Sequence, residues 1–219
     1  MYPNPFHDAW LFVSGQTNDY NNLGTWKYLL VILFLLLVVA SMAIAIRNWR
    51  IDPAQRTGAA TATWLMRVLI GAMWFEGMLW KLPLFSRDNG LYYWMEQMGQ
   101  RAAFAWHREL VANVYLPFFE PFNLMILLAE LTFAVCLILG FGVRLVGMLA
   151  VLFALHLWLG IYRAGDPAEW AWSYIFLAVV HALFAIHAAG RCLGLDALLR
   201  RPLGADPKSG LVRLYRAAS

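Results

Sequence analysis

Three long apolar runs without charged residues constrain this chain more than any other feature. Residues 28–46, 145–162 and 170–190 contain no Asp, Glu, Lys or Arg. A helix of about 20 apolar residues spans the hydrocarbon core of a bilayer, which is roughly 30 Å thick. Two further apolar segments, at about residues 61–82 and 122–142, contain a few ionisable residues. The sequence therefore predicts an all-α polytopic membrane protein with five transmembrane helices and the lipid bilayer as its surroundings.

The charges support this prediction and give it a direction. Only 14% of the 219 residues are charged, whereas soluble domains carry about 25%. On one side of the membrane, the N-terminal tail, the loops and the end of one span carry six basic residues. Ten basic residues lie on the other side, after the first, third and fifth spans. The positive-inside rule then places the N-terminus outside and the C-terminus in the cytoplasm. This distribution explains the net charge of +4 without a nucleic-acid partner. The ten are Arg47, Arg50, Arg56, Arg144, Arg191, Arg200, Arg201, Lys208, Arg213 and Arg216.

Short connections between the later spans predict their arrangement. Helices joined by short links are antiparallel neighbours, so that spans two to five form an up-and-down four-helix bundle and the N-terminal span is an addition to it. For that first span a cleaved signal peptide is the alternative, although its run exceeds the usual 7–15 residues. The predicted segments are an external tail (1–26), the first transmembrane helix (27–47), a cytoplasmic loop (48–60), the four-helix domain (61–200) and a basic cytoplasmic tail (201–219).

The one long loop, residues 83–121, is predicted to be external. Within it, residues 91–110 have apolar side chains at helical spacing and charged side chains mostly on the other side. This pattern is typical of an amphipathic helix lying in the membrane interface. Such a helix is either an interfacial anchor or a lid over a site.

Four spans each carry one ionisable residue at nearly the same predicted depth, within a slab less than about 10 Å thick. They are Glu76, Glu130, His156 and His181. A charged side chain at the bilayer centre costs about 2.5–3.5 kcal/mol on insertion scales, and such residues mark functional sites by default. These four are therefore the candidate catalytic residues. The alternative is that Glu–His hydrogen bonds only hold the helices together.

Two carboxyl groups and two imidazoles would suit the reduction of a quinone. They supply hydrogen-bond donors for the quinone oxygens and, because histidine titrates near neutrality, a path for protons. Aromatic side chains nearby could pack on the quinone ring, and basic residues at the span ends could orient it, although snorkelling to the interface is the alternative for the latter. The candidate cofactor-binding residues are Arg67, Trp74, Lys81 and Trp158.

Two other ligands are compatible with the same side chains. His156 and His181, on adjacent spans, could be the axial ligands of a haem b. The four ionisable residues could also hold a metal ion through nitrogen and oxygen, but the sequence predicts no metal-ligand motif.

Three motifs together resemble the DoxX/DoxD family of membrane proteins. The first has Arg67, Gly71, Trp74, Gly77 and Lys81 in the order of that family's first-helix signature. The second runs over residues 129–145, with an intramembrane Glu, a Gly and an Arg. The third is the glycine and Leu-Asp element at residues 190–198. The resemblance covers about residues 61–200.

The resemblance implies a four-helix membrane fold in a bacterial cytoplasmic (inner) membrane. One branch of the family is the small subunit of a thiosulfate:quinone oxidoreductase. By resemblance, Arg67, Lys81, Glu130 and Arg144 are the family-like positions, while the first span and the long loop depart from the compact members. We therefore expect a membrane subunit of a quinone-linked oxidoreductase that acts with other subunits, among them an external redox protein. A non-catalytic anchor or assembly subunit is the alternative.

Overall fold

The chain is helical throughout the part that the computed structural model describes, residues 4–162, 172–201 and 209–219, and this part contains no strand. Short 3₁₀ turns and one π turn, Val111–Tyr115, join the helices. The helices are α1 (Pro5–Val13), α2 (Lys27–Ile51), α3 (Gly58–Leu79), α4 (Gly90–Arg101), α5 (Ala105–Leu110), α6 (Phe119–Leu139), α7 (Val143–Gly160), α8 (Ser173–Ile186), α9 (Leu195–Arg200) and α10 (Gly210–Ala218).

Four helical segments are long and apolar enough to cross a membrane: the one that contains α2, and α3, α6 and α7. α8 is apolar too but has 14 described residues. The predicted all-α polytopic membrane fold is thus confirmed, while the count of five spans is not. The predicted fifth span begins at residue 170, and residues 170–171 lie outside the described part, as does the link at residues 163–167 that the sequence places before it.

The bundle consists of two closely packed antiparallel helix pairs, α3 with α6 and α7 with α8. Glycines allow both close approaches. A Cβ at Gly71 would lie 2.7 Å from Ile138 Cγ1, and one at Gly147 would lie 2.9 Å from the His181 carbonyl oxygen. Small residues at helix interfaces let membrane helices pack backbone against backbone. The short link between α6 and α7 makes these two helices neighbours as predicted, whereas the more closely packed α3 and α6 are joined by the long loop.

The N-terminal segment packs onto the bundle instead of forming a loose tail. In α1, the Phe12 ring meets Phe34 of α2 edge to face, with centroids 5.1 Å apart. Tyr20 follows and is buried. α2 in turn packs against α6, where Ser41 donates a hydrogen bond to the Ile138 carbonyl oxygen. The first membrane helix is therefore an integral part of the fold.

Asp196 in α9 links the start of α7 to α10 through hydrogen bonds. Its carboxylate accepts hydrogen bonds from the backbone N–H groups of Gly142 and Val143 at the start of α7, at 2.8 and 3.2 Å, and from the Tyr215 hydroxyl of α10 at 2.8 Å. A carboxylate at a helix N-terminus satisfies N–H groups that have no partner within the helix. Burial raises the pKa of Asp196, and these hydrogen bonds partly offset the effect by lowering the pKa.

The predicted single helix over residues 91–110 is wrong. α4 ends at Arg101 and α5 begins at Ala105. Between them Ala102 adopts an extended conformation, and the Ala103 N–H donates to the Leu159 carbonyl oxygen of α7 at 2.8 Å. This hydrogen bond ties the break to the bundle and turns the apolar face of α4 inward, where Met95 and Met98 are buried.

Candidate functional site

A cavity of about 480 Å³ lies between α3, α6, α7 and α8 and is covered by α4. Its wall is mainly apolar, as is usual for cavities that bind small molecules. Four ionisable side chains project into it: Glu76, Lys81, Glu130 and His156. Aromatic rings form much of the remaining wall: Trp74, Trp80, Trp94, Tyr115, Phe122 and Phe153.

Lys81 and Glu130 form a buried ion pair at the cavity wall. Lys81 Nζ lies 2.8 Å from Glu130 Oε2, and the two side chains are 10% and 4% exposed. Nζ also donates to the Gly77 carbonyl oxygen at 2.7 Å, in the last turn of α3. A lysine at this place satisfies a helix carbonyl and interacts favourably with the helix dipole. The pair therefore joins the end of α3 to the middle of α6.

Two buried asparagines hold the Lys81 backbone in place. The Lys81 carbonyl oxygen accepts a hydrogen bond from Asn123 Nδ2 at 3.0 Å and from Asn89 Nδ2 at 3.2 Å. Asn123 Oδ1 accepts in turn from the Phe85 N–H at 2.7 Å. Because buried polar groups are costly unless hydrogen-bonded, this network fixes the segment that leaves α3 and with it the lysine.

Glu76 and His156 occupy other parts of the cavity wall. Glu76 is exposed at the protein surface and follows Trp74 and Phe75 on α3. His156 of α7 is half-buried and has the Tyr115 ring beside it, with centroids 5.9 Å apart. Three carboxyl or imidazole groups from three helices thus reach a common space.

His181 lies one layer behind the cavity wall. Its Nε2 accepts a hydrogen bond from Trp74 Nε1 at 2.9 Å, and the ring is fully buried. Trp74 itself packs edge to face against Phe133 and Phe153 at 5.3 and 5.6 Å. His181 therefore orients a tryptophan that lines the cavity, and the hydrogen bond fixes which nitrogen of His181 carries the proton.

The structure sorts the predicted site residues into three groups. Glu76, Glu130, His156, Trp74 and Lys81 line one cavity. His181 touches it only through Trp74. Arg67 and Trp158, the third group, do not line it.

Arg67 and Trp158 are the predicted cofactor-binding residues that lie away from the cavity. Arg67 is fully buried near the middle of α3, where its guanidinium donates hydrogen bonds to the backbone carbonyl oxygens of Leu137 and Ile138. The snorkelling alternative for Arg67 is therefore wrong, because the side chain is fully buried and its terminal nitrogens donate to backbone carbonyl oxygens inside the protein. Trp158 has its ring 5.8 Å from that of Tyr162. Neither residue lines the cavity.

His107 is the residue that sequence reasoning missed. It lies in α5, is 1% exposed, and its ring centroid is 4.7 Å from that of His156. Burial lowers its pKa. Neither ring nitrogen has a hydrogen-bond partner among the described residues. The pairing joins positions 49 residues apart, and no local pattern in the sequence announces it.

The described residues contain no cluster of three or more His, Cys, Asp or Glu side chains that could hold a metal ion. For the predicted haem b, the two histidines differ in availability. His156 faces the cavity, whereas the His181 nitrogen that accepts from Trp74 is occupied.

Comparison with known proteins gave no match to any family model, curated protein or solved structure. The resemblance to the DoxX/DoxD family therefore stays a prediction.

Proposed function

We propose that this protein binds the head group of a quinone or quinol in the cavity and serves as the membrane subunit of a quinone-linked oxidoreductase. The observation that carries the proposal is an aromatic cavity among membrane helices with a buried Lys81–Glu130 pair in its wall. Its volume of about 480 Å³ lies within the range of about 300–1,000 Å³ that small-molecule sites occupy.

The cavity wall has groups suited to each part of a quinone. The flat ring would pack against Trp74, whose own orientation is held by His181. Aromatic pairs of this kind contribute about 0.5–1.5 kcal/mol beyond the area that they bury. The two ring oxygens would accept hydrogen bonds from Lys81 and His156, both of which line the cavity. The apolar remainder of the wall suits a prenyl tail.

Reduction of a quinone to a quinol takes up two electrons and two protons. The electrons would come from a partner redox protein, which by the positive-inside topology docks on the external side, where the cavity is covered by α4. The protons would pass through the carboxyl groups of Glu76 and Glu130 and the imidazole of His156. General acid–base groups work through direct hydrogen bonds or one intervening water, and all three residues line the cavity.

Filling the cavity should remove the quinone. Leu177 lines the cavity, and Leu177→Trp would occupy a large part of the space. We expect protein purified in mild detergent to contain about one extractable quinone per chain and Leu177→Trp at least tenfold less, by solvent extraction and chromatography. The matched control is Leu152→Trp, on the exposed surface of α7. Absence of quinone from the unaltered protein, together with no uptake of added short-chain quinone, would contradict the proposal.

Glu130→Gln distinguishes a redox subunit from a non-catalytic anchor. The amide keeps the shape of the side chain and removes the exchangeable carboxyl proton. In a complex purified with its redox partner, we expect quinone reduction per complex to fall at least tenfold, within the range of about 10²–10⁴ that acid–base groups contribute. If the variant lowers the yield of complex and leaves turnover per complex unchanged, Glu130 has no proton role and the anchor alternative is favoured.

A further inference from the structure

The His107–His156 pair is not explained by the proposed function. A buried imidazole carries one donor and one acceptor when neutral, and leaving either without a partner is destabilising. His107 leaves both without one, although it is only 1% exposed. Such groups in a folded protein call for an explanation, for example a bound ion or water.

The geometry of the two rings suits a shared ion. Their centroids are 4.7 Å apart and their planes are inclined at 45°. Two imidazoles that bind one tetrahedral metal ion through nitrogen have ring centres about 5 Å apart, given metal–nitrogen distances of about 2.0–2.1 Å. Neither His107 nitrogen donates to or accepts from His156, so both His107 nitrogens remain free to bind a ligand.

A thioether stands beside the pair. Gly160 ends α7, and a Cβ there would lie 3.3 Å from His107 Cε1 and within contact of Met98 side-chain atoms. Met98 and His156 both line the cavity. Because Gly160 has no side chain, Met98 of α4 and His107 of α5 both pack against this glycine.

We propose that His107, His156 and Met98 form a binding site for Cu(I). Imidazole and thioether ligands together select Cu(I), whereas Mg²⁺, Ca²⁺ and Mn²⁺ prefer oxygen. Two neutral imidazoles and a thioether carry no charge, so the site with Cu(I) bound has a single positive charge. A low charge is favourable at the edge of a membrane, where each further charge is costly. Metal ligation uses one nitrogen of His156 and leaves the N–H of the other for a hydrogen bond to a quinone oxygen. With the metal bound, His156 does not relay protons, and the proton path would be left to Glu76 and Glu130.

The test is a Cu(I) titration of the full chain in detergent, carried with an affinity tag free of histidine. Under anaerobic reducing conditions, the protein should withdraw one equivalent of Cu(I) from bicinchoninate. His107→Asn and Met98→Leu should each weaken Cu(I) binding at least tenfold. His187→Asn is the matched control, since His187 is exposed at the end of α8, and it should leave the affinity unchanged.

A second measurement keeps the proposal testable if a variant folds poorly. The X-ray absorption spectrum of the Cu(I)-loaded unaltered protein should contain both nitrogen and sulfur neighbours. Failure to withdraw Cu(I), equal affinity in His107→Asn, or a spectrum without sulfur would each overturn the site. Quinone content is measured separately in the Leu177→Trp experiment, so failure of one proposal is distinguishable from failure of the other.

Discussion

Replacing Lys81 with methionine is expected to destabilise the folded protein by about 3–5 kcal/mol, which is the usual effect of removing one partner from a buried ion pair. The reason is that Glu130, 3% exposed, loses the ammonium group that lies 2.8 Å from its carboxylate. Most of the surrounding wall is apolar, and a charge left without a partner in such surroundings is costly. The free energy of unfolding in detergent micelles, from a denaturant titration, measures the effect.

A double-mutant cycle separates the pair from its surroundings. Glu130→Leu alone should also be destabilising, because among the described residues it leaves the Lys81 ammonium with only the Gly77 carbonyl oxygen. The double variant Lys81→Met, Glu130→Leu should recover most of the loss, since replacing both members of a buried pair by apolar residues is often neutral or stabilising by about 1–4 kcal/mol.

An exposed ion pair in the same chain provides the control. Arg201 Nη2 lies 2.7 Å from Asp52 Oδ2, a comparable separation, but the side chains are 35% and 29% exposed. Exposed pairs contribute about 0–1 kcal/mol, so Arg201→Met should change the stability by no more than that. Equal losses for Lys81→Met and Arg201→Met would show that burial at the cavity wall does not govern the Lys81–Glu130 interaction.

The membrane helices could be predicted because a long apolar run is a local property of the sequence. The sequence predicts a span at about residues 61–82, and the structure has α3 at Gly58–Leu79. The start of α3 is set by Thr57, whose hydroxyl oxygen accepts a hydrogen bond from the Ala60 N–H at 3.1 Å. The segment 122–142 became α6, which ends where Gly140 adopts a left-handed conformation with φ of 74°. The start of α3 and the end of α6 are thus set by capping residues that hydropathy does not register.

The candidate site could be predicted in part because membrane depth follows from position within a span. Glu76, Glu130 and His156 do reach one cavity. The direction in which each side chain points depends on helix rotation, which neither depth nor composition determines. His181 therefore lies behind Trp74 instead of beside the other three. His107 reaches its position through the break between α4 and α5, which depends on a hydrogen bond to α7.

The burial of Arg67, a candidate cofactor-binding residue in the sequence, leads to the second large effect. The guanidinium is fully buried and donates to the carbonyl oxygens of Leu137 and Ile138, at the end of α6, and of Cys192. The last carbonyls of a helix have no partner within it. A charged donor here satisfies several at once, so Arg67 binds the end of α6 to the segment after α8.

Glycines make the space for this guanidinium. A Cβ at Gly140 would lie 2.7 Å from Gly194 Cα, and one at Gly194 would lie 3.1 Å from Arg67 Nη2. The two glycine segments therefore approach each other and the arginine at backbone distance. The arginine and glycines that the sequence places in separate motifs meet here, which gives the motifs a structural role that does not involve the cavity.

Arg67→Met is expected to destabilise the protein by roughly 3 kcal/mol or more, because each buried carbonyl left without a donor costs about 1–3 kcal/mol. Arg67→Lys should recover only part of this, since a single ammonium cannot reproduce the planar fork that reaches α6 and Cys192 together. Chemical unfolding in micelles measures both, with Arg47→Met on the exposed surface of α2 as the control. Quinone content per folded chain should stay unchanged, because Arg67 does not line the cavity; a selective loss of quinone without loss of stability would instead return Arg67 to the ligand site.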